Sequence, residues 1–236
     1  MCVVAVGLNI HPEWPLLVAG NRDEFHARAS DPLHIWRDAM GIIAGRDLVS
    51  GGTWMGVSQA GRFAVVTNIR DPDGPDPSKK SRGALVADWL ADGARPKELD
   101  GFNPFNLIIG DMAQAEYFAN RPAPVRRVLK TGIQLFSNAP DGEPWPRKDR
   151  LELAFATWLT NGAGHPEQIF DLLADETDDV PAMERIFIRN PVYGTRCSTV
   201  IAVNTQGAGF ISERRFDAQG AAAGETRLAF DWPIGM

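Results

Sequence analysis

Short apolar runs separated by turn residues dominate the hydrophobic pattern of the chain. Residues 2–10 and 15–20 are two such runs, rich in valine and leucine, and the few residues between them fit a hairpin. A second pair, residues 53–58 and 63–68, flanks a turn at residues 59–62. Consecutive apolar runs of this length predict antiparallel strands joined by short connections.

The rest of the chain continues the pattern. Residues 26–40 contain Pro32 and are predicted to be irregular. The segment 125–137 reads as two strands joined across residues 130–132. The full set of further strands predicted from apolar runs is 41–45, 106–111, 115–119, 125–129, 133–137, 183–188, 198–204, 209–215 and 226–231.

Three segments have helical spacing of their apolar residues. They are residues 81–91, with Ser81 as the predicted cap, residues 147–160, and residues 166–174. The segment 71–80 has three prolines and three aspartates, which predicts a mobile surface loop that covers the substrate. Two blocks of strands with helices between them predict an α+β layered domain, in which two antiparallel sheets pack face to face. We find no linker, and predict one domain over residues 1–236.

Composition and charge narrow the class of protein. Hydrophobic residues make up 44% of the 236 residues and charged residues 23%, as in ordinary globular proteins. The net charge of −6 argues against a nucleic-acid partner. The sequence has neither a run of 18 apolar residues nor the pattern of a signal peptide, so no membrane span is expected. Two cysteines do not make a disulfide framework, and we predict a cytoplasmic protein.

The residue with the greatest chemical potential is Cys2. Removal of Met1, which is usual before a small residue, would give Cys2 both a thiol and a free α-amine. A thiolate is a nucleophile, and an α-amine with a pKa of about 7.7–8.0 is a suitable base on the same residue. The alternative is a structural role, because a free cysteine also behaves as a small buried hydrophobe.

Several motifs along the chain resemble those of one known family. They are Cys2, Asn21-Arg22-Asp23-Glu24, the run 51–56 (GGTWMG), Ser81-Arg82-Gly83, the run 137–140 (SNAP) and the run 193–200 (YGTRCSTV). Together they are similar to the NRDE family, of the transport and Golgi organisation protein 2 type, which itself resembles the N-terminal-nucleophile (Ntn) hydrolases. The resemblance implies one NRDE domain over residues 1–236. It also implies a four-layer αββα sandwich, with helices outside two antiparallel sheets.

The resemblance assigns roles beside the nucleophile. Arg22 is a permanently charged candidate to favour the thiolate, and Asp23 is a candidate to hydrogen-bond the α-amine. Neighbouring residues of a strand point to opposite faces, so both reach Cys2 only if the strand ends or bends there. The alternative for Arg22 and Asp23 is a structural ion pair.

Three more residues complete the candidate site. Asn68 and Asn138 each end an apolar run before a proline-containing loop, where their amides could donate to an oxyanion. Both also suit ordinary turns. Arg196 resembles the second active-site arginine of choloylglycine-type Ntn hydrolases, or it is a surface charge. Cys197 is expected to be a core residue.

Two functions of different classes follow. The first is an Ntn-type cysteine hydrolase that cleaves a linear carbon–nitrogen amide bond. The second is a non-catalytic binding or trafficking protein of the same fold, which handles haem or a lipid or acyl-CoA ligand; this reading depends on the resemblance alone. The sequence has no motif for a metal or a phosphate loop, so no cofactor is expected. Either function implies a small-molecule partner, which is an amide, a lipid or haem.

Overall fold

The structure is a computed structural model, and it describes residues 2–39, 41–177 and 180–233. Within these ranges the chain forms thirteen strands and three α-helices. The strands are β1 Cys2–Leu8, β2 Leu16–Phe25, β3 Ser30–Ile35, β4 Ile42–Asp47, β5 Met55–Ser58, β6 Arg62–Asn68, β7 Phe105–Gly110, β8 Ala115–Ala119, β9 Val125–Val128, β10 Gly132–Phe136, β11 Tyr193–Val203, β12 Ala208–Phe216 and β13 Ala222–Asp231. The helices are α1 Arg82–Asp92, α2 Pro146–Thr160 and α3 Ile169–Leu173.

The strands form two antiparallel sheets, as the sequence predicts. The first sheet has six strands in the order β10-β1-β2-β11-β12-β13. The second has seven, in the order β3-β4-β5-β6-β7-β8-β9, and thus follows the chain almost directly. The N-terminal hairpin β1–β2 lies at the centre of the first sheet, where β11 pairs with the free edge of β2.

Three apolar clusters hold four layers together. Residues such as Val4 and Met55 pack between the two sheets. Val3 and Phe155 belong to a second cluster, which joins the outer face of the first sheet to α2 and α3. Trp89 and its neighbours seal α1 against the second sheet. The central strands are therefore buried on both faces, which explains why they read as unbroken apolar runs. No helix in the described part of the chain is long and apolar enough to cross a membrane.

Two strand predictions were wrong. Residues 26–40 contain β3, an edge strand that tolerates Pro32 because its outer side needs no ladder hydrogen bonds. Residues 183–188 form no strand; after a single 3₁₀ turn, Ala182–Glu184, the segment packs irregularly beneath the first sheet. Ile186, Phe187 and Ile188 are buried, and the carbonyl of Ile186 accepts hydrogen bonds from the side chains of Asn21 and Arg147.

The predicted hairpin at 125–137 is also wrong in its pairing. β9 pairs with β8 at one end of the second sheet, and β10 pairs with β1 at the edge of the first. The chain therefore crosses between the sheets at residues 129–131. The predicted helix at 166–174 is split into a 3₁₀ turn, Pro166–Gln168, and the five-residue α3. Ser81 stands at the cap position of α1, but its side chain makes no capping hydrogen bond.

Candidate functional site

A cavity of about 590 Å³ opens at one end of the sandwich, between the two sheets. Its floor is the start of β1 with the ends of β2 and β12, and its walls are the β4–β5 loop, the N-terminus of α1 and the segment 75–80. The proline-rich loop therefore lines the cavity. A volume of this size is typical of a small-molecule site.

Three neighbouring strands place a row of reactive side chains on the cavity floor. Arg22 of β2 stands opposite Cys2 of β1 on one side and opposite Cys197 of β11 on the other. Arg215 of β12 continues the row beyond Cys197. Side chains directly opposite one another point to the same face of a sheet, so all four face the second sheet and line the cavity.

A bulge in β11 makes this arrangement possible. Thr195 pairs with Asp23, and Cys197 pairs with Arg22, with the irregularity between them. In a regular strand Thr195 and Cys197, two residues apart, would point to the same face, but their partners Asp23 and Arg22 are adjacent and point to opposite faces. Arg196 is the extra residue of the bulge. Because a bulge shifts the alternation by one residue, Thr195 and Cys197 point to opposite faces, as their partners do.

Asp23 points away from the cavity, into the layer of α2 and α3. Its Oδ2 lies 2.6 Å from Nη1 of Arg147, the second residue of α2. Its Oδ1 accepts a hydrogen bond of 2.6 Å from the hydroxyl of Thr195. Both members of the ion pair are buried, and Arg147 is 0% exposed. Asp23 is therefore bound by Arg147 and not by Arg22, whose nearest carboxylate is Glu24 at 3.7 Å.

Asn138 joins Cys2 to the second sheet. Its Oδ1 accepts a hydrogen bond of 3.1 Å from the backbone nitrogen of Cys2, and its Nδ2 donates to the carbonyl of Asn68 at 2.7 Å. Both ends of this amide thus position the start of β1. The side chain of Asn68 lines the cavity and has no hydrogen-bond partner among the described residues.

The arginine in the bulge secures the loop that follows the NRDE segment. Nη1 of Arg196 donates to the carbonyls of Phe25, His26 and Arg28 at 2.9–3.0 Å. Three carbonyl partners on one nitrogen hold the loop in a tight curve around the guanidinium group. Arg196 also lines the cavity, so one side chain both shapes the rim and contributes its charge.

Glycines let two walls of the cavity meet backbone to backbone. A Cβ on Gly52, in the β4–β5 loop, would lie 2.5 Å from the carbonyl carbon of Gly83. A Cβ on Gly83 would in turn lie 3.0 Å from the carbonyl oxygen of Thr53. The GGTWMG and Ser-Arg-Gly motifs therefore contact each other through their backbones. This contact holds Arg82, which precedes Gly83, at the cavity wall.

Comparison with known proteins identifies the family of this chain. The family model described as Transport and Golgi organisation 2 matches residues 1–218. The chain belongs to this family. A relative from Homo sapiens, named Transport and Golgi organization protein 2 homolog, is 28% identical over 269 aligned residues, covering 96% of this chain and 97% of the relative.

Solved structures similar to this family member are Ntn-type amidases. The Caenorhabditis elegans ortholog of N-acylethanolamine-hydrolyzing acid amidase matches with a TM-score of 0.56 and 11% identity, over 85% of this chain and 92% of its own. A mutant conjugated bile acid hydrolase from Clostridium perfringens matches with a TM-score of 0.51 and 8% identity, over 100% and 99%. At these identities the likeness shows the fold alone, an Ntn-hydrolase-like sandwich of two antiparallel sheets.

The two thiols of this family member differ in their electrostatic surroundings. Burial raises the pKa of the Cys2 thiol and the Asp23 carboxylate adds to this, while Arg22 and a hydrogen bond from the backbone N–H of Asp23 lower it. Burial also raises the pKa of Cys197 well above its ordinary value, and Glu213 raises it further. Burial raises the pKa of the Glu213 carboxyl itself.

We expect iodoacetamide to label Cys2 before Cys197, because the thiolate is the reactive form of a cysteine. Burial raises the pKa of both thiols and Arg22 lowers both, but the pKa of Cys197 is raised more strongly, with Glu213 adding to the effect of burial. Limited labelling followed by peptide mapping measures the ratio. Preferential labelling of Cys197 would make the assignment of Cys2 wrong.

The structure brings five of the six predicted residues to the cavity. Cys2, Arg22, Asn68 and Arg196 line it with their side chains, while Asp23 reaches its edge and turns its carboxylate to α2. Asn138 lies just behind, in contact with Cys2. Arg147 and Arg82 were not predicted as site residues. No cluster of three or more His, Cys, Asp or Glu side chains within residues 2–39, 41–177 and 180–233 could hold a metal ion.

Proposed function

We propose that the protein is an Ntn-type cysteine amidohydrolase that cleaves a linear amide bond, with Cys2 as the nucleophile. The observation that carries the proposal is the position of Cys2. It begins a central strand, its thiol faces a cavity of about 590 Å³, and its backbone nitrogen is held at 3.1 Å by Asn138. Met1 lies outside the described residues, and its removal would turn this nitrogen into a free α-amine.

The proposed reaction begins when the α-amine takes the proton of the thiol. The thiolate attacks the amide carbonyl carbon, a carbon–sulfur bond forms, and the carbonyl electrons move to the oxygen. The amide of Asn68, at the cavity wall, donates a hydrogen bond to this oxyanion. The oxyanion collapses as the protonated amine gives its proton to the leaving nitrogen, so the carbon–nitrogen bond breaks and the amine product departs.

A second half-reaction restores the enzyme. The α-amine removes a proton from water, which attacks the thioester carbonyl and forms a second oxyanion. Collapse of this oxyanion breaks the carbon–sulfur bond, and the thiolate regains its proton from the amine. One water is consumed, and a carboxylate and an amine are released. Arg22 stabilises the thiolate in both halves, because its charge lies on the same row of the cavity floor.

The buried Asp23–Arg147 pair would support the amine from behind. Asp23 is adjacent in the chain to the register partner of Cys2, and its carboxylate is fixed by Arg147 and Thr195. A carboxylate held in this way favours the protonated amine that forms in each half-reaction. Asn138 accepts a hydrogen bond from the nitrogen of Cys2 and donates to the carbonyl of Asn68, so both ends of its amide are engaged. The side chain of Asn68 is therefore the proposed donor to the oxyanion.

The test is to trap the acyl-enzyme. Protein whose intact mass lacks Met1 is mixed with N-dodecanoylglycine and with N-dodecanoylethanolamine, quenched in acid, and weighed. We expect a dodecanoyl adduct on the Cys2 peptide and release of the amine, with neither in Cys2→Ala. An intact mass that retains Met1, or the absence of both adduct and amine release, would contradict the proposal.

A carrier of haem or of a lipid or acyl-CoA ligand is the second candidate. The observation that favours it is the burial of Cys2, which is 7% exposed, together with the raised pKa of its thiol. Both reduce the nucleophilicity of Cys2. The trapping experiment separates the two functions, because a carrier retains its ligand in Cys2→Ala and forms no covalent adduct in the wild-type protein.

A further inference from the structure

The charge of the cavity differs in sign from the charge of the whole protein. The chain has 24 lysines and arginines against 30 aspartates and glutamates. Among the described residues that line the cavity, eight are basic and six are acidic. One of the six is Asp23, whose carboxylate points away from the cavity and pairs with Arg147. Six of the eight basic residues are partly buried, and an excess of partly buried cations is costly unless an anion offsets it.

Some of these cations are already neutralised by carboxylates. Arg28 binds Asp47 at 2.7 Å, and Arg46 binds Asp38 at 2.8 Å. A guanidinium group that binds a carboxylate in this way already directs N–H donors to that partner, which partly offsets its charge. Arg28 and Arg46 therefore do not account for the positive character of the cavity.

Three other arginines have no such partner. Across residues 2–39, 41–177 and 180–233, no carboxylate lies within 4.0 Å of the guanidinium groups of Arg82, Arg196 or Arg215. Arg82 donates to the carbonyl of Pro104 at 3.1 Å, and Arg196 donates to loop carbonyls. Carbonyl oxygens are neutral acceptors, so no direct ion pair within the described residues neutralises these three guanidinium groups.

The surroundings of Arg82 place it close to the chemistry. Burial lowers the pKa of its guanidinium group, and the Cys2 thiol is the acidic group that opposes this most strongly, followed by Glu24. Burial likewise lowers the pKa of Arg196, and the neighbouring charge of Arg22 lowers it further. Mutual repulsion between cations in one cavity is relieved when a ligand brings negative charge.

We propose that the cavity binds its substrate through an anionic group, a carboxylate or a phosphate, held by Arg82 together with Arg196 and Arg215. A guanidinium group suits either anion, since its planar fork donates two parallel hydrogen bonds. The inference deepens the hydrolase function, on which it rests for the statement that the bound molecule is a substrate. The class of substrate is thus an amide that carries a negative charge.

The test uses three amides with one acyl chain, N-dodecanoyl-glycine, N-dodecanoyl-O-phosphoethanolamine and the neutral N-dodecanoylethanolamine. They are titrated by calorimetry into Cys2→Ala protein, which binds without turnover. We expect the two charged amides to bind about tenfold tighter or more than the neutral amide at low salt, with the advantage shrinking as salt rises. The tighter of the two charged amides identifies the anion as carboxylate or phosphate.

Substitution of single arginines tests which side chains bind the anionic group. In the Cys2→Ala background, Arg82→Gln should weaken both charged amides about tenfold and change the neutral amide less than about twofold. Arg215→Gln repeats the test on the cavity floor, away from α1, in case Arg82→Gln disturbs that helix. Arg46→Gln is the matched control, because Arg46 lines the cavity but is paired with Asp38, and it should leave the preference unchanged.

Two results would overturn the anion site. One is binding of the neutral amide as tight as that of the charged amides, or no binding of any of the three. The other is a preference for charge that survives both Arg82→Gln and Arg215→Gln. Failure of the hydrolase function gives a different result, because the charged amides would then bind to Cys2→Ala protein while the wild type forms no acyl adduct.

Discussion

Replacing Arg147 by methionine is expected to lower the free energy of unfolding by about 3–5 kcal/mol, the range for breaking a buried ion pair from one side. Arg147 is 0% exposed, lies 2.6 Å from Asp23 and donates to the carbonyl of Ile186 at 2.8 Å. Its removal leaves the Asp23 carboxylate buried beside an apolar side chain. Thermal unfolding is the measurement, and a fall in Tm of roughly 6–20 °C corresponds to that loss.

The control for this prediction is an exposed pair of the same type. Arg214 binds Glu225 at 3.0 Å across neighbouring strands, and the two side chains are 40% and 47% exposed. Arg214→Met should therefore cost no more than about 1 kcal/mol. If Arg147→Met were as stable as Arg214→Met, the Asp23–Arg147 pair would not be a structural element of the first sheet.

A double variant separates structure from chemistry. Asp23→Leu combined with Arg147→Met replaces the buried pair by apolar residues, which is often neutral or stabilising compared with the intact pair. We expect the double variant to recover most of the stability lost in Arg147→Met, while acyl-enzyme formation at Cys2 stays low because the carboxylate behind the amine is gone. Recovery of both stability and acylation would mean that Asp23 serves the scaffold alone.

Much of the fold was predictable because the central strands are buried on both faces. Their unbroken apolar runs identify β1, β2, β5 and β6 from the sequence, and turns between them give an antiparallel order. β3 was missed because an edge strand can contain Pro32, which local patterns treat as a break. The apolar run 183–188 was wrongly predicted to be a strand, because most of its apolar side chains are buried without forming one.

Pairing between distant strands was beyond local reasoning. β9 and β10 are adjacent in the chain, yet they lie in different sheets, because β10 completes the edge beside β1 and β9 completes the edge beside β8. Turn residues at 130–132 suit a hairpin and a crossover equally well. The choice depends on which sheet edge is free, and only the whole topology determines that.

The part of the candidate site that lies on the first hairpin was predictable from the sequence. Cys2 and Arg22 share a register pair of the first hairpin, so their contact follows from the strands alone. The partner of Asp23 could not be predicted from the strands, because Arg147 belongs to a helix far along the chain. It meets Asp23 only where that helix packs against the first sheet. A signal was present, since an arginine in the first turn of α2 opposes the helix dipole and needs a compensating partner.

Replacing Gly52 by alanine is expected to lower the free energy of unfolding by about 3 kcal/mol, the upper end of the usual cost of overpacking. The added Cβ would lie 2.5 Å from the carbonyl carbon of Gly83 and 2.6 Å from its oxygen. These are backbone atoms at the N-terminus of α1, so they can yield only if the helix moves. Thermal unfolding is the measurement of the stability loss.

Gly51→Ala is the matched control for this last prediction. Gly51 has φ of +76°, and its Cβ would meet no atom within 4 Å, so alanine there adds backbone strain of about 1–2 kcal/mol without moving α1. Because Arg82 is the first residue of α1, a displaced helix carries the guanidinium group with it, and Gly52→Ala should also weaken binding of N-dodecanoyl-glycine about tenfold. Gly51→Ala should bind like the parent protein. Equal stability and equal binding in the two variants would mean that the GGTWMG and Ser-Arg-Gly motifs are not coupled through this contact, and that Arg82 is held at the cavity wall by other means.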